Sequence, residues 1–155
     1  MLQQDLRHLE VRTSGEGFTN ITAAINNEIA GSGLSIGLAT LHVQHTSCSL
    51  TINENADPRV LLDLAAYLQA LVPPEGVRPI SGQGPLRPYV HDDEGADDMP
   101  AHIRTALTCT SLSLSFQRGR LLLGTWQAIY LWEHRARPQR RKVCLHLLGE
   151  SQAKI

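Results

Sequence analysis

The sequence predicts an α+β domain, mainly antiparallel β-sheet with two to three helices packed on it. Three observations carry this expectation. Segments of alternating apolar and polar residues lie toward both ends of the chain, and capped, helix-spaced apolar stripes lie between them. The length of 155 residues with 42% hydrophobic content suits a single domain over 1–155, without internal repeats or low-complexity tracts.

Leu6 to Thr13 alternates loosely and runs into the turn cluster Ser14-Gly15-Glu16-Gly17, so it reads as a strand. Thr19 or Asn20 can then cap a helix reaching about Ala30, with Ile21, Ala24, Ile25 and Ile29 on one face and Gly31-Ser32-Gly33 as its stop. Leu34 to Val43 is a second strand, and Cys48 to Ile52 a third, reached through His45-Thr46-Ser47. Asp57-Pro58 is the clearest helix start, because the aspartate accepts from orphan N–H groups and proline suits the first helical position. Val60, Leu61, Leu64, Leu68 and Leu71 continue that stripe until Pro73-Pro74 ends it. Val72 to Val90 is rich in Pro and Gly and reads as a long loop. Met99 to Leu107 forms a short helix capped by Asp97 or Asp98. Leu112, Leu114 and Phe116 alternate with serines, Leu121 to Arg135 makes one or two strands, and Val143, Leu145 and Leu147 alternate again.

Charge and cysteine usage exclude several classes. With 14 Lys+Arg against 15 Asp+Glu, the chain lacks the basic excess of a general nucleic-acid binder. No apolar run approaches the roughly 20 residues of a membrane helix, and the N-terminus shows no signal peptide, so a cytoplasmic protein is expected. Cys48, Cys109 and Cys144 are far apart and form no Cys-x-x-Cys pair, which suggests buried thiols in a reducing compartment.

Three stretches hold residues suited to chemistry. Asp92 to Asp98 contains five of the 15 acidic residues, flanked by His91 and His102. Crowded carboxylates require a cation, an arginine or full solvation. A metal shared with the imidazoles and a solvated helix cap both account for the pattern. His45-Thr46-Ser47 places an imidazole and two hydroxyls at a strand end, where they can bind phosphate or simply bond to the turn backbone. Cys48 reads as a buried thiol, since no base is evident beside it. In the third stretch, Gly124 to Arg135, an extended chain puts Gln127, Ile129, Leu131, Glu133 and Arg135 on one face and Trp126, Tyr130, Trp132 and His134 on the other. The five basic residues from Arg135 to Lys142 can bind phosphate or form an exposed turn.

Taken in order, the strings His45-Thr46-Ser47-Cys48-Ser49-Leu50 with Asn53-Glu54-Asn55-Ala56-Asp57-Pro58, His91 through Ile103, and Leu123-Gly124-Thr125-Trp126-Gln127 to Glu133-His134-Arg135 resemble the YjbQ family. The resemblance runs from about Leu6 to Gly149. It implies a compact α+β domain assembling as a homotrimer, with sites between subunits and an activity like that of a secondary thiamine-phosphate synthase. Such an enzyme couples hydroxymethylpyrimidine diphosphate with thiazole phosphate and releases diphosphate. Carried over by motif, His45, His91 and His102 are candidate ligands of a divalent metal, zinc first. Glu54, Asp98 and Glu133 are candidate catalytic carboxylates, and Thr46, Ser47, Gln127 and Arg135 candidate substrate or phosphate contacts. The implied partner is a small phosphorylated substrate, with neither nucleic acid nor membrane. Metal-dependent hydrolysis or lyase chemistry and non-catalytic metal or metabolite binding are the alternatives. Cys48 stands where the family more usually has alanine, and the Val77 to Pro88 loop is longer than usual.

Overall fold

The computed structural model describes residues 1–151, so the last four residues of the expected 1–155 domain lie outside the described range. Its eight strands and three helices follow as β1 (Leu2–Arg12), β2 (Gly17–Asn20), α1 (Thr22–Ser32), β3 (Leu34–Val43), β4 (Cys48–Glu54), α2 (Pro58–Leu71), α3 (Asp98–Leu107), β5 (Ser111–Gln117), β6 (Arg120–Leu121), β7 (Gln127–Glu133) and β8 (Arg140–Ser151). A five-stranded sheet runs β1-β8-β3-β5-β6 and a three-stranded sheet runs β2-β7-β4, with every pairing antiparallel. The α+β expectation therefore holds, with two sheets where the sequence implied one.

Alternation explains how the sheets meet. Inward residues Leu41, Phe116, Leu145 and Leu147 of the large sheet and Leu50, Ile129 and Leu131 of the small one are fully buried in one core. Ile21, Ile25 and Ile29 of the first helix close it, as their spacing predicts. That helix starts two residues after Asn20, whose Oδ1 accepts from Thr22 N at 3.1 Å. Gly37 and Gly149 face each other where β3 meets β8, and a Cβ on Gly149 would lie 2.3 Å from Ile36 O. The Phe116 ring packs against this glycine pair.

β7 is the central strand of the small sheet and is buried on both faces from Ala128 to Glu133. Phe18 stacks on Trp132 at 4.4 Å and meets Tyr130 edge-on at 5.9 Å, confirming the aromatic face. Trp126 lies outside that strand and is exposed. Asp57 caps α2 by accepting from Arg59 N. Leu68 is buried, whereas Leu71 of the same stripe is exposed, so this helix sits at the periphery. The loop from Val72 to Asp97 carries only an isolated Val77–Arg87 bridge, which accords with the long loop expected from its prolines and glycines. Among the described residues no helix is long and apolar enough to cross a membrane.

Candidate metal centre

The third helix delivers the site. Asp98 at its first position and His102 one turn later share a face, by the i, i+4 spacing of helical neighbours. His91 arrives from the end of the long loop, with its Nε2 2.8 Å from Asp98 Oδ2. His102 Nε2 lies 3.4 Å from the same oxygen. His91, Asp98 and His102 are the one group among the described residues whose ligand atoms lie within 4.8 Å of one another.

The surroundings orient two of the three, His102 and Asp98. His102 Nδ1 is 3.0 Å from Thr46 O, and a carbonyl can only accept, so Nδ1 carries the proton. In neutral His102 this leaves Nε2 bare and aimed at the group, the arrangement common among metal-bound histidines. Asp98 is buried, with Oδ1 gripped by Arg135 at 2.6 Å. Burial pushes its carboxyl up, but chiefly the His91 hydrogen bond and the charge of Arg135 outweigh this and hold it below the usual carboxylate range. Beside His91 opens a cavity of about 270 Å³ lined by Val77, Tyr89, Val90 and Met99. The long loop builds most of its wall.

Other candidates take different places. His45 Nε2 accepts from Lys142 N at 2.7 Å, outside the His91 group. Thr46 serves through its carbonyl. Ser47 is buried, and both its hydroxyl and its carbonyl accept from Arg141. Arg135 donates through Nε to Asp97, Nη1 to Asp98 and Nη2 to Glu94 O, so it anchors the acidic loop rather than standing free for phosphate. Asp97, expected as a capping residue, makes no capping bond because its carboxylate turns to Arg135 and Ala136 N.

Glu133 is 1% exposed and pairs with Arg141, which comes from the opposite sheet. It also accepts from Thr13 Oγ1 at 2.7 Å and from the backbone N–H groups of His134 and Arg135. Burial acts to raise its carboxyl, yet these bonds keep it below its ordinary value. Glu54 and Gln127 lie elsewhere. Cys48 pairs with Glu133 and Glu54 with Gln127 at opposite ends of the β4–β7 ladder. Six residues of strand separate these ends by about 20 Å. Glu54 Oε1 accepts from Ala56 N and Asp57 N, and Gln127 Oε1 from Gly124 N.

The sequence reading missed two buried groups. Arg141 lay within a basic run read as a turn or phosphate contact, although its parity with Val143, Leu145 and Leu147 marks an inward position. His134 is 1% exposed, with Nε2 2.9 Å from Ser49 Oγ. Burial and the positive charge of Arg104 push its imidazole down to about 4. Among the cysteines, Cys48 is buried and its thiol is raised to about 11 by burial, Cys144 is buried, and Cys109 is exposed, contrary to the expectation for all three.

Fold and site together define a class: small two-sheet α+β proteins with a His–Asp–His group held on a helix and its preceding loop. The chain belongs to the YjbQ family, since the family described as UPF0047 protein YjbQ-like matches residues 7–150. It is 49% identical over 142 residues to the UPF0047 protein sll1880 of Synechocystis, covering 92% of this chain and 90% of that one. With UPF0047 protein YjbQ of Escherichia coli O157:H7 it shares 41% identity, covering 92% and 96%. The crystal structure of the conserved hypothetical protein TT1486 from Thermus thermophilus superposes with a TM-score of 0.73 at 36% identity, covering 91% of this chain and 98% of that one.

Proposed function

We propose that this protein is a divalent-metal enzyme acting on a small phosphorylated substrate, and that its reaction is the coupling of hydroxymethylpyrimidine diphosphate with thiazole phosphate. The observation that carries the metal reading is the convergence of His91, Asp98 and His102, with the Thr46 carbonyl selecting the His102 tautomer. Two imidazole nitrogens and a carboxylate oxygen suit zinc. A metal bound there supplies positive charge for a departing diphosphate. Arg135 holds Asp98 ionised and oriented, and the apolar cavity beside His91 suits a heteroaromatic ring. The reaction itself is supported by family resemblance.

Glu54 and Gln127 lie too far along the small sheet to act with Asp98 in one chain. We therefore place the working site between subunits of a homotrimer, where the Glu54 end of one chain meets the His102 end of another. This reading is tested by mixing Glu54→Gln and His102→Ala proteins after subunit exchange. Recovery of diphosphate release by the mixture supports shared sites, and an inactive mixture of active-assembly size refutes them. Diphosphate formed together with thiamine phosphate identifies the coupling. Metal-dependent phosphoester cleavage without coupling favours hydrolysis instead.

A further inference from the structure

A second set of metal-ligating side chains lies on the outer face of the large sheet and shares no residue with the His91 group. In the register, His8 is opposite Cys144 and Cys144 is opposite His42. Directly opposed residues of antiparallel strands project to the same face. His8, Cys144 and His42 therefore form one row across β1, β8 and β3. His146, two residues further along the central strand, joins the same face. Neighbouring strands are about 4.8 Å apart, so the two flanking histidines stand roughly 10 Å apart with the sulfur between them.

Exposure supports this placement. On the same face Leu2, Leu6, Leu38 and Leu148 are 61%, 58%, 41% and 41% exposed, so no helix among the described residues covers it. Cys144 is nonetheless only 7% exposed. The thiol is thus at the floor of the row with exposed imidazoles on either side. Neither His8 nor His42 makes a side-chain hydrogen bond to another described residue. His146 Nε2 lies 3.1 Å from Gln4 Oε1, which as acceptor leaves Nδ1 bare.

We propose that Cys144, His8, His42 and His146 form a transition-metal site for a borderline or soft cation such as Zn²⁺. One thiolate with two or three imidazoles is a donor set that selects such ions over Mg²⁺ or Ca²⁺. The ligand atoms do not lie within 4.8 Å of one another, so metal binding at this site requires the exposed histidines to turn about their side-chain torsions. Binding forms a metal–sulfur bond and releases the Cys144 thiol proton to solvent.

Cobalt(II) titration of the metal-free, untagged full chain tests this, because a thiolate–cobalt bond gives a near-ultraviolet charge-transfer band. The His91 group contains no sulfur and cannot produce one. The band is expected to be displaced by Zn²⁺ and to persist in Cys109→Ser and in His102→Ala, and in His102→Ala, whose His91 group no longer competes for cobalt, it should saturate at one cobalt per chain. It should vanish in Cys144→Ser. In the His8→Ala/His42→Ala double variant, which keeps the thiol, cobalt binding read by this band should weaken at least tenfold. A wild-type protein without the band overturns the proposal. So does a band that survives in Cys144→Ser, or equal affinity in the double variant. Circular dichroism verifies the fold of each variant, and the exposed histidines carry the test if Cys144→Ser does not fold.

Discussion

Lowering the pH from 6.5 to 4 should destabilise this protein through one histidine. His134 is 1% exposed, bonded to Ser49 Oγ, and carries a folded-state pKa of about 4 against an ordinary 6.5. Burial is the largest cause, and the charges of Arg104 and Arg141 add to it against the opposing charge of Glu133. Between those two pH values the unfolded chain binds a proton at this residue that the folded chain refuses. Stability therefore rises with pH across the window, is fully present above about 6.5, and stops falling on this account below about 4. The gap corresponds to roughly 3 kcal/mol, with a slope approaching about 1.4 kcal/mol per pH unit in mid-window. His45, lowered chiefly by its own burial, adds a smaller dependence of the same sign.

Urea unfolding at half-unit steps from pH 4 to 7.5 reads this slope, with His134→Gln as the comparison. Glutamine can still bond to Ser49 but does not titrate. Its stability should be lower at neutral pH through imperfect packing, yet flatter across the window. Parallel pH profiles for the two proteins would refute the assignment. So would a His134 imidazole resonance titrating near 6.5 in the folded wild type. The carboxylates of Asp97, Asp98 and Glu133 are all held below their ordinary values of 3.8, 3.8 and 4.5, so their loss of stability begins near those values and overlaps the histidine window only at its acid end, leaving the upper part of the window to His134.

Three further outcomes are expected. His102→Ala should lose metal from the His91 group while staying folded, because His102 is 31% exposed and lies outside the core; unchanged metal content, measured by mass spectrometry with Cys144→Ser as background, removes it from the site. Arg135→Ala frees both Asp97 and Asp98, and should weaken metal binding there by about 10–100-fold, the usual effect of losing a residue that orients a ligand; isothermal titration with wild-type affinity would count against it. Glu133→Gln leaves the Arg141 guanidinium buried without its counter-charge, and should lower unfolding free energy by about 3–5 kcal/mol; a midpoint in urea within experimental error of wild type would make that ion pair dispensable.

Much of the fold was legible because burial on one face writes a period of two or 3.6 into the chain. Leu34 to Val43 and the Asp57-Pro58 helix start are local signals, and both elements begin where those signals place them. β1 begins at Leu2 rather than Leu6 because Gln3 and Gln4 carry no apolar signal, and their strand conformation comes from pairing with Gly149 and Leu148. The site divides the same way. His91, Asp98 and His102 lie within twelve residues, so loop and helix geometry bring them together. His45, Glu54 and Gln127 were grouped with them by motif order, but strand register decides which end of a sheet a residue reaches, and register is a non-local property. Arg141 shows the converse: its composition suggested a surface, and only its parity within the last strand revealed a buried partner for Glu133.

Glu133 and Asp98 were both expected to act as catalytic carboxylates, and the hydrogen bonds distinguish their roles. Asp98 faces the two imidazoles directly. Glu133 reaches that group only through the backbone, since its Oε2 accepts from the N–H of Arg135 while the Arg135 guanidinium grips Asp98 and Asp97. The same carboxylate pairs with Arg141, which also binds Ser47 next to the Thr46 carbonyl that orients His102. One buried ion pair thus braces both sides of the candidate metal group, holding Asp98 through Arg135 and His102 through the Thr46–Ser47 turn. Placing this pair beneath the site explains why a costly inter-sheet ion pair sits where an apolar contact would otherwise continue the core. If the His91 group binds metal, Glu133 is a positioning residue whose loss would act on stability and on the geometry of the group together, whereas loss of Arg135 would act on Asp98 and its neighbour Asp97.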